Sequence, residues 1–274
     1  MATSFTDRLS IGYEQIRRGR IRRRARPIVF YLALLLAGVM SVVFLPELLV
    51  NLVTGWTSEG AVLGIHRFHI MGIAGVVSAF LLGLFAQVYH PRHNVAAIWG
   101  ALAIILTVSI GTVAFGVGRP EEVLPFLAVT AIAFTTHPAG RGLLGRSRAL
   151  SPTLLTLVVI AAVPTAVYIG HQLTLTTTVG DSHAAMGHYV MMIGLAVAPL
   201  AYGVVAAVGV TGWRLTAWFA GIPMAFFGTL SIAFPLQSGS VGVAWGGAAI
   251  AWAIVFIVST EYVQRQSASG ESPI

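Results

Sequence analysis

The chain has 274 residues, of which 57% are hydrophobic and only 9% are charged, against about 25% charged residues in soluble domains. A soluble domain of this composition could not bury its apolar side chains, so we predict an integral membrane protein. Cysteine is absent, which excludes disulfide frameworks, iron–sulfur clusters and thiolate metal sites. Lysine is also absent, since all 16 basic residues are arginine, and this excludes a retinal Schiff base or a lysine nucleophile.

The basic residues are concentrated just before the first apolar run. Seven arginines lie there, namely Arg17, Arg18, Arg20, Arg22, Arg23, Arg24 and Arg26. A basic cluster beside a membrane helix sets topology and can contact anionic lipid, so we expect residues 1–26 to form a cytoplasmic segment. The formal net charge of +7 is therefore read as a topology signal, and no nucleic-acid partner is expected. The next apolar run is too long for a signal-peptide core, so we expect an uncleaved first helix.

Apolar stretches that approach the length needed to cross the hydrocarbon core, about 20 residues, recur eight times. The predicted helices cover residues 27–53, 61–89, 95–117, 123–136, 152–175, 183–210, 215–234 and 241–260. We therefore predict an all-α integral membrane protein with eight transmembrane helices. Residues 27–139 form the first four-helix half, 140–151 a basic cytoplasmic connector, 152–260 the second half, and 261–274 a polar cytoplasmic tail.

Arginine marks one side of this arrangement. The connectors after predicted helices two, four and six, together with the tail, carry Arg92, Arg141, Arg146, Arg148, Arg214 and Arg265. The opposite connectors carry Arg119 with Glu59, Glu121, Glu122 and Asp181. Positive charge is retained on the cytoplasmic side, so we predict a plasma-membrane protein with both termini in the cytoplasm.

The two halves resemble each other at an offset of 122 residues. His66 aligns with His188, Gly72 with Gly194, and Phe80 with Tyr202. Thr107 and Ser109 align in the same way with Thr229 and Ser231. Because each half has an even number of helices, the halves must have the same orientation, which predicts two pseudo-symmetric halves in parallel, as in some transporters.

Five of the eight histidines fall at the outer ends of predicted helices. They are His66, His69, His171, His183 and His188, and Glu47, Asp181, Met191 and Met192 fall at similar depth. Ionisable residues inside a membrane are costly and usually face the bundle interior for a functional reason. The pseudo-twofold relation would bring His66 and His188 to equivalent depths on facing helices.

This pattern predicts a redox site that holds haem b or copper near the outer face. Paired histidines, or histidine with methionine, ligate haem iron, and imidazole with thioether suits copper. The candidate cofactor-binding residues are His66, His69, His188 and Met191, and the candidate metal ligands are His66, His69, His171, His188 and Met192. Glu47, Arg67 and Asp181 are expected to support these ligands. His183 is expected to be a loop residue, although His171, His183 or Met192 could complete a copper site.

Eight helices in two same-facing halves with outer histidines are similar in plan to the haem A synthase family. That family pairs a histidine on the second helix of each half with one on the fourth, whereas only His66 and His188 match here. Three classes of function stay open on the sequence. They are a redox protein that exchanges electrons with quinone or a redox partner, a small-molecule or ion transporter with parallel repeats, and a non-catalytic membrane subunit or assembly factor.

Overall fold

The computed structural model describes the backbone of residues 5–57 and 66–269, and the side chains of residues 25–57 and 66–267. Glu59, the predicted start of helix two at Ala61, and residues 270–274 of the tail lie outside this part. The side chains of the six arginines from Arg17 to Arg24, proposed to contact anionic lipid, also lie outside it.

The described residues are helical almost throughout. The α-helices are α1 (Phe5–Thr54), α2 (Arg67–Phe85), α3 (Val95–Phe115), α4 (Pro120–Thr136), α5 (Pro152–Thr178), α6 (Ser182–Ala185), α7 (His188–Val208), α8 (Trp213–Ala233) and α9 (Gly242–Ser269). Two short 3-10 helices, Pro91–His93 and Gly140–Leu144, lie in the connectors after α2 and α4. The predicted all-helical class is therefore confirmed.

Seven of the described helices are long and apolar enough to cross a membrane. They are α1 from Ala25 onward, α2, α3, α5, α7, α8 and α9. These seven helices indicate a multi-pass membrane protein. The predicted fourth span corresponds to α4, which has 17 residues and is not one of the seven, so an eighth crossing stays a prediction.

The sequence predicts one continuous sixth helix from residue 183 to residue 210, and this prediction is wrong. The structure breaks it into α6 and α7 at Met186 and Gly187. Gly187 has a φ of +73°, a left-handed conformation that favours glycine. A Cβ atom on Gly187 would lie 3.0 Å from the Cα of Gly118. The chain can therefore turn here only because this residue has no side chain.

Helices α2 and α7 form the centre of the bundle. Both have 67% of their most apolar window buried, against 28% for α1 and α5 and 17% for α9, which places those three helices at the periphery. The beginnings of α2 and α7 lie at one end, and the connectors after them meet at the other, where the Ala96 amide donates to the Thr211 carbonyl over 2.8 Å. The two central helices therefore run in the same direction.

Glycines allow α2 and α7 to pack closely. A Cβ atom on Gly72 would lie 2.5 Å from the sulfur of Met192, and one on Gly194 would lie 2.6 Å from Val108 and 3.1 Å from Val76. Small residues at helix contacts are the usual means of close approach in membranes, where van der Waals packing drives association.

Helices α8 and α9 approach even more closely, backbone against backbone. A Cβ atom on Gly228 would lie 2.5 Å from the Gly246 carbonyl oxygen, and one on Gly246 would lie 2.7 Å from the Gly228 carbonyl oxygen. Neither carbonyl can move away without disturbing its own helix, so these two glycines set the distance between the helices.

We expect Gly246→Ala to lower stability by about 1–3 kcal/mol, because the added methyl group overpacks a contact between two backbones. The measurement is the melting temperature of the detergent-solubilised protein. Gly247→Ala is the matched control, since a Cβ atom at Gly247 has no neighbour within 4 Å and alanine favours the helix. Equal melting temperatures for the two variants would contradict the close packing.

A buried polar network around His137 lies at the end of the bundle where α2 and α4 end. The Ala139 amide donates to His137 Nδ1 over 3.1 Å, so Nε2 carries the proton and donates to Gln87 Oε1 over 3.0 Å. Gln87 in turn donates to the Asn94 carbonyl over 3.0 Å. The network joins the ends of α2 and α4 to the start of α3.

Burial lowers the pKa of His137 from its ordinary value of 6.5 to about 4. Between these two pH values His137 binds a proton in the unfolded chain but stays neutral in the folded protein. The free energy of unfolding therefore falls as the pH falls. We expect a loss on the order of 2–3 kcal/mol across this window. Melting temperatures measured from pH 7.5 to pH 4 should decline less steeply in His137→Gln. His93→Gln, at an exposed site of the same end, should keep the wild-type slope, and an unchanged slope in His137→Gln would be the contrary result.

Candidate metal centre

Three histidines converge at the end of the bundle where α2 and α7 begin. His66 directly precedes α2, His183 lies in α6, and His188 begins α7. Each offers a ligand nitrogen, and these three atoms lie within 4.8 Å of one another. The ring of His66 has its centroid 4.2 Å from that of His183 and 5.6 Å from that of His188. Among the described residues, this is the group that could hold a metal ion.

The convergence follows from two features of the fold. The parallel arrangement of α2 and α7 places His66 and His188 at the same end of neighbouring helices. The turn at Gly187 then folds α6 back, and the Gly118 amide fixes it by donating to the Ala185 carbonyl over 2.9 Å. The short helix thus carries His183 into contact with the other two rings.

Asp181 orients His183. Its carboxylate caps α6 by accepting from the Ala184 amide over 2.8 Å, and its Oδ2 lies 3.2 Å from His183 Nδ1. The Tyr189 hydroxyl donates to the same Oδ2 over 3.0 Å. Burial alone would raise the pKa of Asp181, but these three hydrogen bonds bring it below its ordinary value. An ionised Asp181 holds the proton on Nδ1 of His183 and leaves Nε2 free for a ligand.

One nitrogen of each ring is buried without a hydrogen-bond partner among the described residues. These atoms are His66 Nδ1, His183 Nε2 and His188 Nδ1. An unpaired polar atom that is buried costs about 1–3 kcal/mol, so their grouping needs a physical reason. Burial, followed by the nearby charge of His183, lowers the pKa of His66, which keeps its ring neutral and able to coordinate.

A fourth imidazole, that of His69, extends the cluster inward. Its ring centroid is 4.7 Å from that of His183 and 5.6 Å from that of His188, and neither of its nitrogens has a partner in the described structure. The side chain of Gln172 is also fully buried, with both polar atoms unpaired. A Cβ atom on Gly239 would lie 3.1 Å from His69 Nε2 and 3.7 Å from Gln172 Nε2, so these two polar side chains border the same small region.

The other sequence-predicted site residues do not belong to the group of three rings. His171 is exposed on α5, and Met192 is fully buried with its sulfur packed against Gly72. The guanidinium of Arg67 lies over the ring of Phe234, 5.4 Å from its centroid. Met191 and Glu47 line a cavity that His66 and His188 also line.

The expectation that His183 is only a loop residue is wrong. It belongs to a helix, is buried and lies at the centre of the cluster. The local sequence contained a signal for this role of His183. Asp181 lies two residues before it, where an aspartate can cap a short helix and also orient the imidazole ring. The glycine at position 187 marked the place where the chain could turn.

No protein-family model matches this chain, and no curated protein or solved structure shows similarity to it. The class of this protein therefore follows from its fold and its histidine cluster alone. The chain is a multi-pass helical membrane protein with a histidine cluster that could bind a metal ion.

Proposed function

We propose that this protein is a membrane copper protein whose ion is held by His66, His183 and His188 and serves in electron transfer. The observation that carries the proposal is the convergence of three imidazoles, two of them buried and that of His66 half-buried, each with one buried nitrogen that has no hydrogen-bond partner among the described residues. A histidine-ligated copper ion exchanges single electrons between its two common oxidation states, which suits a redox role.

The geometry favours a single metal ion. Donor atoms around a tetrahedral ion at 2.0–2.1 Å lie about 3.3 Å apart, so the three nitrogens, now within 4.8 Å, need to draw together only slightly. Three protein ligands leave a fourth position for water, for an added ligand or for His69. Imidazole-only sites bind copper more tightly than the other divalent first-row metals. The carboxylate behind His183 is the support that metal-bound histidines ordinarily have.

The alternative of haem b has less support. A macrocycle between His66 and His188 would have to enter a space where the His183 ring lies 4.2 Å from the former and 5.6 Å from the latter. Binding haem there would therefore require α6 to move away from the cluster.

The proposal includes an architecture of two parallel four-helix halves, with α4 as the eighth span. Each packing contact within the first half has a counterpart in the second: α1 with α2 as α5 with α7, α1 with α4 as α5 with α9, α2 with α3 as α7 with α8, and α3 with α4 as α8 with α9. The contact of α3 with α7 likewise corresponds to that of α8 with α2. At about 1.5 Å per residue, the 17 residues of α4 are close to the bilayer's hydrocarbon thickness.

We also propose that the cluster faces the outer side of the plasma membrane and that both termini are cytoplasmic. The end of the bundle that carries the cluster bears Glu121, Glu122 and Asp181, whereas five arginines lie in the connectors and at the helix start of the opposite end. They are Arg92, Arg141, Arg146, Arg148 and Arg214. Arginine retention on the cytoplasmic side gives this orientation.

The first test is metal content. Purified protein reconstituted with copper should retain one copper ion per chain by elemental analysis, and the oxidised form should show nitrogen hyperfine splitting in electron paramagnetic resonance. His66→Ala, His183→Ala and His188→Ala should each lower affinity at least about tenfold, because each removes one of three ligands.

Two variants make the copper test specific. His93→Ala, at the opposite end, should keep wild-type affinity, and so should His171→Ala, whose side chain is exposed. A metal-free protein, or undiminished affinity in the three cluster variants, would refute the copper site. A Soret band that disappears in His66→Ala and His188→Ala would show that these histidines bind haem instead of copper.

The second test concerns the support of His183. We expect Asp181→Asn to weaken copper binding by about 10–100-fold, the usual effect of removing the partner of a metal-ligating histidine. Glu121→Gln is the matched control, since it removes an exposed carboxylate at the same end of the bundle. Equal copper affinities in these two variants, measured by competition with a chelator, would show that Asp181 does not orient a ligand.

A further inference from the structure

A cavity of about 490 Å³ lies within the first half, directly inward of the histidine cluster. Its wall comes mainly from α1, α2, α3 and α4, and His66 and His188 line its outer end. Cavities of this size are typical of small-molecule sites. The copper ligands and the cavity therefore share two side chains.

The cavity is long and narrow. Along α2 its lining extends from near His66 to Leu81, which corresponds to about 22 Å of helix axis. A volume of 490 Å³ spread over that length is a slot about one hydrocarbon chain wide. Such a slot matches a molecule with a single tail lying along the helices.

Three neighbouring aromatic side chains from different helices line the slot. The ring of Phe126 on α4 lies 6.1 Å from that of Phe44 on α1 and 5.9 Å from that of Phe80 on α2, measured between centroids. All three rings line the cavity. In the second half, by contrast, α8 and α9 pack through Gly228 and Gly246 with backbone contacts.

Apart from Ser41, the polar side chains that line the cavity lie toward the end near His66 and His188, where they would contact the head of a ligand. They include the carboxyl groups of Glu47 and Glu122, the amide of Asn51 and the imidazoles of His66 and His188, and no arginine belongs to the described lining. Arg119 pairs with Glu122 over 2.7 Å, which leaves Glu47 as an acceptor. Carboxyl groups without a basic neighbour repel an anionic head and accept hydrogen bonds from a neutral hydroxyl group.

We propose that this cavity binds a neutral, lipid-soluble quinol, with its hydrocarbon tail along α2 among the four helices that line the cavity and its hydroxylated ring beside His66 and His188. The inference rests on the proposed function, since the ring then lies next to the copper ligands. The quinol would reach the metal from the membrane. Only its binding is proposed.

The test measures binding of decylubiquinol, kept reduced under anaerobic conditions, to metal-free protein in detergent. Wild-type protein should bind one molecule, and Val77→Trp should weaken binding at least about tenfold by filling the slot. Leu45→Trp, on the α1 wall of the same cavity, should act in the same way and serves if Val77→Trp fails to fold. Palmitate, whose saturated tail is longer but whose head is anionic, should also bind at least about tenfold more weakly than the quinol.

Val163→Trp is the matched control, because Val163 is 66% exposed on α5, and its quinol affinity should equal that of the wild type. Val77 is 11 residues from His66, or about 16 Å along the helix, so Val77→Trp should keep its copper. Unchanged quinol affinity in the folded cavity variants, or palmitate binding as tight as quinol binding, would overturn the inference while leaving the copper site intact. Quinol binding with no copper binding would instead refute the copper function alone.

Discussion

The structure depends on the close, parallel packing of α2 against α7. Gly72 and Gly194 make this packing possible, because each leaves space for a side chain of the opposing wall, Met192 in one case and Val76 in the other. Without a hydrophobic effect to drive helices together inside lipid, such fitted contacts set which helices are neighbours. Once the two helices start at the same end, His66 and His188 must lie together.

The site carries an energetic imbalance that a ligand would relieve. Within the described part of the chain, each ring of His66, His183 and His188 has one buried nitrogen without a hydrogen-bond partner, and each such atom costs about 1–3 kcal/mol. The Asp181 carboxylate satisfies only the far nitrogen of His183 and thereby leaves the near one for coordination. A positive ion would pair with all three nitrogens together, so binding would stabilise the fold by the mass action that links ligands to native states.

In the proposed architecture, the two halves pack their helices differently. Helices α8 and α9 make close backbone contact, whereas three aromatic rings of α1, α2 and α4 line an elongated cavity. The histidine cluster and this cavity meet at one place, where His66 and His188 belong to both. In the proposed function, the metal and its membrane-soluble partner meet there.

The sequence by itself determined the membrane class and most helix boundaries, because a bilayer demands long apolar helices and excludes most charged residues from them. It also paired His66 with His188, since a repeat with parallel halves brings equivalent positions to equal depth. Only the tertiary structure decided that His183 completes the cluster and that His171 lies exposed outside it. The turn at Gly187 and the ring contacts that follow from it are not periodic features of the chain. The cavity likewise arises from how side chains of four helices fit together, which hydropathy and spacing do not encode.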